Sequence, residues 1–485
     1  MSIPRATSFD RTNPVSIYEY SGGLIGNSLY DLFGEAVVDH ARKGKGRLGQ
    51  MVEELFFGYE VNSDRNADFK EASLELKCTP LLPAKIDGGY RIKERLVCTM
   101  IDYFEVVNTR FEDSHLLNKC RLMLLLFYLH IKGVPAYQYK FLFRVLWNLP
   151  EKDLLVIKND YETIAEKIRR GEAHLLSEGD TLYLGACRKG QKDDKLQAQP
   201  NSDTKAKKRA FSLKPAYMRQ LLQHVVDSES RSYSNYVLPK DTSFELVSAE
   251  KLRTASFEQV ILERFAPFIG MNYVEICDKL GIEAYQSKSK YADVAGLIAS
   301  DNVSKRLANA DEFMKSGLML KTIRIGSNGM PEESMSFKNI DYCEVAENDE
   351  WEESEAYELF TSRFLFAVFK EKPGESIGVE NRKKSVLVKE TAYVLDKVFF
   401  WTMPADDLVT AKEYWENIRE NVLNDNIRLD AFWRIGDDHK FHVRPKGVKN
   451  SYQMAAVNPN GGFADKYCYW FNAKYVKRVI ENEGK

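Results

Sequence analysis

The sequence lacks a strong excess of either sign of charge. Its 485 residues include 69 lysine and arginine residues and 71 aspartate and glutamate residues, so the formal net charge is −2. This balance argues against the uniformly basic surface that binds nucleic acid without selectivity. It does not exclude a local basic groove, because net charge averages over the whole surface.

Cysteine is scarce and follows no metal-binding or disulfide pattern. The seven cysteines are an odd number, lie far apart in the sequence and include no C-x-x-C pair. Paired cysteines are typical of secreted domains, and closely spaced ones are typical of zinc sites. We therefore expect a reducing cytoplasmic compartment and no structural zinc.

Long apolar runs are also missing. The longest one, residues 122–131, is about half of the roughly 20 residues that a membrane-spanning helix needs. The first residues, MSIPRATS, contain no apolar signal region. We expect a soluble protein with no membrane partner.

The composition is that of an ordinary globular chain, with 44% hydrophobic and 29% charged residues. A chain of this length is too long for one core and predicts more than one domain. Helical and strand-like hydrophobic patterns alternate along it, which indicates the α/β class.

Two acids and a lysine stand close together near the N-terminus. The stretch around them alternates, so in a strand Leu74 and Leu76 would face a core while Glu75 and Lys77 project from the other face. Asp68 precedes Glu75 by a short turn. Two carboxylates can share a hard divalent cation, and a nearby lysine can contact a nucleophilic water or a phosphate. This pattern predicts metal-dependent phosphodiester hydrolysis.

The sequence repeats this stretch in its second half. Residues 67–77 align with residues 311–321 when their final lysines are matched, which places Met319 opposite Glu75 and retains Lys321. A thioether is a poor ligand for Mg²⁺. We therefore predict one active and one degenerate copy of a single fold.

A second, shorter echo pairs residues 113–121 with residues 355–363 and places Thr361 opposite Lys119. The two copies predict domains at 1–235 and 246–485, joined by a polar linker at 236–245. Residues 188–209 are the most basic polar stretch of the chain, and we predict a mobile loop there.

Taken in order, five blocks of the first half resemble the MutH-like family of endonucleases, a branch of the PD-(D/E)xK nuclease superfamily. The resemblance is greatest to its two-domain type II restriction enzymes, which cut ahead of the G in GATC. The blocks are Lys45-Gly46-x-Leu48-Gly49 with Glu53, Asp68 with Glu75-Leu76-Lys77-Cys78-Thr79-Pro80, Lys93-Glu94-Arg95-Leu96-Val97, Ser114-His115 with Lys119, and Arg209-Ala210-Phe211-Ser212-Leu213-Lys214.

The resemblance implies an active site. Asp68 and Glu75 would bind Mg²⁺, Lys77 would position or activate the attacking water, and Lys119 would be a second basic residue at the scissile phosphate. Glu53 would be an added acidic group near the metal. The helix between Gly49 and Gly58 is one residue longer than in MutH, so the sequence leaves open whether Glu53 or its neighbour Glu54 takes this place.

The resemblance also implies a fold and a substrate. The fold would be a mixed β-sheet flanked by helices, with double-stranded DNA in a cleft, and the degenerate copy would bind a second DNA site as an effector. The implied DNA contacts of the first copy are Arg188, Lys189, Lys207, Lys208, Arg209, Ser212 and Lys214. Those of the second copy are Arg444 and Lys446.

Three alternatives stay open at this point. The first is a DNA-binding protein that loops two sites without cutting. The second is an endonuclease with a different or modification-dependent site. The third is a strand-nicking mismatch-repair enzyme. The complete Asp-Glu-Lys set argues against the first, and the second domain argues against the third. The base-reading residues, the response to methylation and the joining of two chains on DNA are not determined by the sequence.

Overall fold

A computed structural model describes residues 8–42, 48–59, 66–84, 89–189, 196–227, 244–303, 306–381, 384–445 and 455–483. The chain divides into two compact units, Met1–Arg253 with Met314–Gly317, and Thr254–Phe313 with Leu318–Lys485. Most of the predicted linker 236–245 lies outside the described residues, and the predicted domain boundaries stay a prediction. No helix in the described part of the chain combines the length and the apolar character needed to cross a membrane.

Both units contain helices and strands. Up to residue 253 the helices are α1 Pro14–Tyr20, α2 Leu29–Phe33, α3 Glu35–Arg42, α4 Leu48–Met51, α5 Tyr103–Val106, α6 His115–Cys120, α7 Glu151–Arg169, α8 Pro215–Asp227 and α9 Ala249–Leu252. The strands are β1 Glu75–Pro83, β2 Tyr90–Ile92, β3 Leu96–Met100, β4 Leu122–Leu129, β5 Phe141–Asn148, β6 Leu184–Arg188, β7 Gln197–Gln199, β8 Ser202–Ala206 and β9 Arg209–Leu213.

The second part of the chain has the same mixture. Its helices are α10 Phe257–Phe265, α11 Tyr273–Leu280, α12 Lys290–Ala299, α13 Asp311–Ser316, α14 Tyr342–Glu347, α15 Glu355–Phe360, α16 Ala405–Leu423 and α17 Ala473–Glu481. Its strands are β10 Met319–Ile325, β11 Met335–Asn339, β12 Phe364–Asn381, β13 Val386–Trp401, β14 Phe441–Pro445, β15 Ala455–Val457, β16 Phe463–Asp465 and β17 Tyr467–Phe471.

The main sheet of the first unit has the order β2-β1-β4-β5. Strand β1 runs parallel to β4, with Glu75 opposite Met123, and the outer strands are antiparallel to their neighbours. The middle of β4 is buried on both faces, which explains its continuous apolar sequence. Leu74 and Leu76 pack into a core with Met51 and Phe56, and this contact holds helix α4 against β1.

A second antiparallel sheet of the same unit has the order β3-β9-β6. The start of β6 is fixed by Asp160 of α7, whose carboxylate accepts hydrogen bonds from the backbone N–H groups of Leu182, Tyr183 and Leu184 at 2.9, 2.7 and 2.9 Å. These three bonds satisfy buried donors that the strand itself leaves unpaired.

The prediction of a mobile loop over residues 188–209 is wrong for its described part. Strands β7 and β8 form a hairpin there, and residues 190–195 lie outside the described residues. The side chain of Gln199 is buried and accepts a hydrogen bond from the backbone N–H of Ala173 at 2.7 Å. The hairpin is polar because hydrogen bonds of this kind anchor it and the rest of its surface is largely exposed to solvent.

The second unit repeats this topology. Strand β10 runs parallel to β12, and β13 is antiparallel to β12, while β11 and β14 flank β17 in a separate antiparallel sheet. The same pairings join β1, β4 and β5, and β3, β9 and β6, in the first unit. The predicted α/β class with a mixed sheet flanked by helices is confirmed.

The helix caps correct one detail of the repeat. Ser114 and Ser354 are the N-caps of α6 and α15, and each accepts a hydrogen bond from the backbone N–H three residues later. Aligning these caps places Leu359 opposite Lys119. Thr361 follows the end of α15 and donates its hydroxyl hydrogen bond to the Tyr357 carbonyl at 2.7 Å, so the predicted pairing with Lys119 is wrong.

Candidate active site

A tight loop brings Asp68 back to the start of β1. Phe69 and Leu74 exchange backbone hydrogen bonds of 2.9 and 3.2 Å, and the loop closes through Ser73 at a φ of +49°. The Asp68 carboxylate then accepts a hydrogen bond from the Leu76 backbone N–H at 2.9 Å. The local sequence therefore places the Asp68 carboxylate beside the first residues of β1.

Glu75 is the centre of the site. Its side chain is 1% exposed, and Oε1 lies 2.6 Å from Lys77 Nζ. Lys119 Nζ lies 3.2 Å from both carboxylate oxygens. Lys119 comes from α6, which leads directly into β4. The parallel pairing of β1 with β4 therefore brings Lys119 to the carboxylate that Lys77 contacts from within β1.

Glu53 approaches the same group from another element. It lies in a wide π-type turn, Val52–Phe56, whose apolar residues Val52 and Phe56 are buried. Burial, and then the carboxylates of Asp68 and Glu75, raise the pKa of Glu53 to about 7. The structure thus brings Glu53 into electrostatic contact with the other acids of the site.

The pKa values of Asp68 and Lys77 are also shifted by burial and by the charge of Glu75. Burial, followed by the charge of Glu75, raises the pKa of Asp68. Burial acts to lower the pKa of Lys77, but the Glu75 carboxylate outweighs it and the pKa of Lys77 is raised. Three carboxyl groups therefore interact electrostatically with two ammonium groups in this largely buried site.

This donor set fits Mg²⁺. Mg²⁺ is commonly held by one or two carboxylates, with water and substrate phosphate completing its octahedron. In the described ranges no group of three or more His, Cys, Asp or Glu side chains is already arranged to hold a metal ion. Asp68 and Glu75 would supply the protein oxygens, and a cation there would relieve the repulsion that, after burial, raises the pKa values of Glu53 and Asp68.

A cavity of about 910 Å³ opens beside the two lysines. Lys77 and Lys119 line it together with the end of β3, all of α5 and the start of α6. His115 Nε2 lies 3.1 Å from Glu105 Oε1 on its wall. Sequence reasoning missed this wall, because α5 has only four residues and gives no periodic signal.

Comparison with known proteins decides the family. The family profile of the DNA mismatch repair enzyme MutH matches residues 57–160. The type II restriction enzyme Sau3AI of Staphylococcus aureus is 31% identical over 96% of this chain and 98% of its own length. The chain belongs to the MutH-like endonuclease family.

Two mismatch repair relatives match a smaller part of this MutH-like endonuclease. The MutH proteins of Shewanella woodyi and Vibrio vulnificus are 25% and 26% identical, over 41% and 42% of this chain and 85% and 90% of their own lengths. Similarity to a restriction enzyme thus extends over nearly the whole chain, whereas similarity to MutH covers less than half. The protein is a restriction endonuclease that acts on DNA.

Some predicted DNA contacts of this MutH-like endonuclease are available to a ligand. Lys189, Lys207 and Lys208 are exposed and Arg188 is half-buried. Lys189 donates its backbone N–H to the Lys208 carbonyl at 2.9 Å, so these residues lie together where β6 ends and β9 begins.

Other predicted contacts are internal, which corrects the sequence interpretation. Ser212 is completely buried in the central strand β9. Lys214 is buried and donates to the Thr181 carbonyl. Both side chains satisfy buried backbone acceptors, so a duplex cannot use them without breaking the sheet. Arg209 is half-buried and donates to the carbonyls of Ala186 and Leu176, and its DNA contact stays a prediction.

The degenerate copy of this MutH-like endonuclease has a different arrangement around its lysine. Met319 occupies the first position of β10, as Glu75 does in β1. Lys321 Nζ donates to the Ser336 carbonyl at 2.8 Å and lies 4.3 Å from the centre of the Phe337 ring. Arg444 is exposed at the end of β14, with its guanidinium 4.9 Å from the Trp470 ring centre, and Lys446 lies outside the described residues.

The two neighbouring glutamates of the π-type turn provide a matched test. We expect Glu53→Gln to slow DNA cleavage roughly a hundredfold, because it removes a charge that faces Asp68 and Glu75. Glu54→Gln changes the same chemistry one position away and should cleave within about threefold of wild type. Single-turnover cleavage rates at saturating Mg²⁺ check this. Equal losses in both variants, or a loss only in Glu54→Gln, would contradict the assignment of Glu53.

Proposed function

We propose that the chain is a Mg²⁺-dependent type II restriction endonuclease that hydrolyses duplex DNA at GATC, and that the first unit does the cutting. The observation that carries this proposal is the buried Glu75 carboxylate, which pairs with Lys77 and Lys119, two lysines that line an adjoining cavity. Burying these charges costs stability even when they are paired, so their clustering beside a cavity indicates a functional site. A phosphodiester with a divalent cation is the ligand that fits.

Each residue has a place in the proposed reaction. Asp68 and Glu75 would hold Mg²⁺, which when bound would supply charge neutralisation at the phosphate and a more acidic water. Lys77 would leave its ion pair with Glu75 to orient the attacking water. Lys119 would move to a non-bridging phosphate oxygen, where it would stabilise the charge that develops in the transition state. Glu53 would be ionised beside a bound cation and would accept a hydrogen bond from a water near the metal.

GATC as the site rests on the resemblance of the five sequence blocks to two-domain enzymes that cut there. Similarity to a type II restriction enzyme over 96% of this chain supports the proposal. Exposed Lys189 and Lys208 would contact phosphates next to the cut, so binding should weaken with added salt.

Plasmid cleavage tests the proposal. With Mg²⁺ we expect wild type to cut a plasmid that contains GATC, and EDTA to stop it. We expect Glu75→Ala to cut at least roughly 10³-fold more slowly, because one carboxylate ligand is lost, yet to bind a GATC duplex within about tenfold of wild type. Gel electrophoresis and fluorescence anisotropy measure the two quantities. A wild type that leaves GATC plasmids intact in every methylation state would show the assignment to be wrong.

We further propose that the second unit binds a second copy of the site without cutting it. Two observations support this: Met319 replaces the carboxylate, and Lys321 is engaged with a backbone carbonyl and an aromatic ring. Arg444 remains exposed at a strand end and is oriented by Trp470. A non-cutting DNA-looping protein is less well supported, because the first unit retains all three carboxyl groups and both lysines.

A comparison of one-site and two-site plasmids tests the second binding site. We expect wild type to cut a two-site plasmid faster, and a short uncut duplex added in trans to stimulate cleavage of a one-site plasmid. Arg444→Ala should lose this stimulation, with roughly tenfold weaker effector binding, because one arginine contact is removed. Arg428→Ala, another exposed arginine of the second unit, is the control. Equal stimulation in all three proteins would refute an effector role for Arg444.

A further inference from the structure

Two large apolar side chains are exposed on the wall of the catalytic cavity. Met100, at the end of β3, is 52% exposed, and Phe104, in α5, is 54% exposed. Both line the cavity that Lys77 and Lys119 enter. Single exposed apolar residues are common on protein surfaces. Two of them together beside the catalytic lysines lower solubility, and a ligand that covers them would explain why they are there.

Phe104 stands on a rigid base. The Asp102 carboxylate caps α5 and accepts hydrogen bonds from the backbone N–H groups of Phe104 and Glu105 at 3.0 and 3.2 Å. The adjacent side chain, Tyr103, is buried and donates its hydroxyl hydrogen bond to the Lys207 carbonyl at 2.5 Å. The backbone at Phe104 is thus held from both sides, and its ring is presented to the cavity without loss of loop entropy on binding.

The charges of the same wall suit a polyanion. Its two acids already have partners, since Asp102 caps α5 and Glu105 pairs with His115. Lys208 lines the wall and is exposed. The wall therefore combines exposed apolar side chains with basic groups, and a nucleic acid duplex, with stacked bases and phosphate chains, offers partners for both.

We propose that Phe104, supported by Met100, inserts between base pairs next to the cut phosphate and opens one base step. The proposal rests on the proposed function only in taking duplex DNA as the ligand of this cavity. Apolar wedges of this kind partly unstack a step and bend the duplex, which allows more contact with the protein. The opened step would bring the scissile phosphate towards Lys77 and Lys119. Phe104 is a positioning residue in this account.

The test measures base unstacking independently of cleavage. Proteins with the Glu75→Ala background bind duplexes in which 2-aminopurine replaces one base at a time across and beside GATC. We expect a severalfold rise in fluorescence at one step with Glu75→Ala, and no rise when Phe104→Ala is added. Phe104→Leu should keep part of the rise. Leu175→Ala, an exposed apolar residue that does not line the cavity, should keep all of it.

Affinity and stability complete the test. Phe104→Ala should weaken duplex binding roughly tenfold to a hundredfold, the range of one lost aromatic contact with a base, with an unchanged melting temperature. No fluorescence rise at any position, or the same rise with and without Phe104, overturns the wedge. An equal loss of affinity on replacing one thymine by uracil would assign Phe104 to a methyl contact instead.

Failure of the wedge and failure of the proposed function give different results. Wild type that cuts GATC plasmids, together with a flat fluorescence series, removes the wedge and leaves the endonuclease. Wild type that cuts no DNA, together with a fluorescence rise that depends on Phe104, removes the cutting function and leaves the wedge. A chain that binds none of the duplexes contradicts both.

Discussion

The candidate active site depends on one buried carboxylate. Glu75 is almost completely shielded from water, and a charge in that position is stable only with partners. Lys77 supplies one from the same strand face, and Lys119 supplies another from the helix that precedes the neighbouring strand. The parallel register of β1 and β4 is therefore also the geometry of the site, because a shift by one residue would turn Glu75 into the core.

The second unit shows how the fold accommodates the loss of this carboxylate. Its strands keep the same pairing, with Met319 at the first position of β10, so the fold does not require the acid. Lys321 there donates to a backbone carbonyl oxygen and lies against an aromatic face. The carboxylate at this strand position is thus not needed for the fold, and its presence in the first unit indicates chemistry.

The sequence predicts the local part of this site better than the distant part. Asp68, Glu75 and Lys77 lie within one turn and one strand, where spacing determines which side chains share a face. Lys119 is assigned only through the family resemblance, because its place beside Glu75 depends on the pairing of two strands. The resemblance also carries Ser212 and Lys214 over as DNA contacts, although the structure buries both in or beside a central strand.

The remaining errors have the same physical origin. The sequence of the β7–β8 hairpin predicts a loop because it has no hydrophobic pattern. The hairpin is stabilised instead by buried hydrogen bonds such as that of Gln199. Phe104 gives no signal in a helix of four residues, and its exposure is visible only when the cavity is formed. The spacing of residues in the sequence predicts which side chains share a face of a helix or strand. Helix caps, single buried acids and cavity walls become visible only in the folded structure.

The central claim is that one metal-binding site per chain lies at Asp68 and Glu75 and none lies at Met319. Anomalous X-ray diffraction from crystals of the full chain with a GATC duplex and Mn²⁺ measures this directly. The account predicts an anomalous peak within coordination distance of the Asp68 and Glu75 carboxylates, and no peak beside Met319 or Lys321. A peak in the second unit, or crystals that cut their DNA without a peak at Asp68 and Glu75, would contradict it.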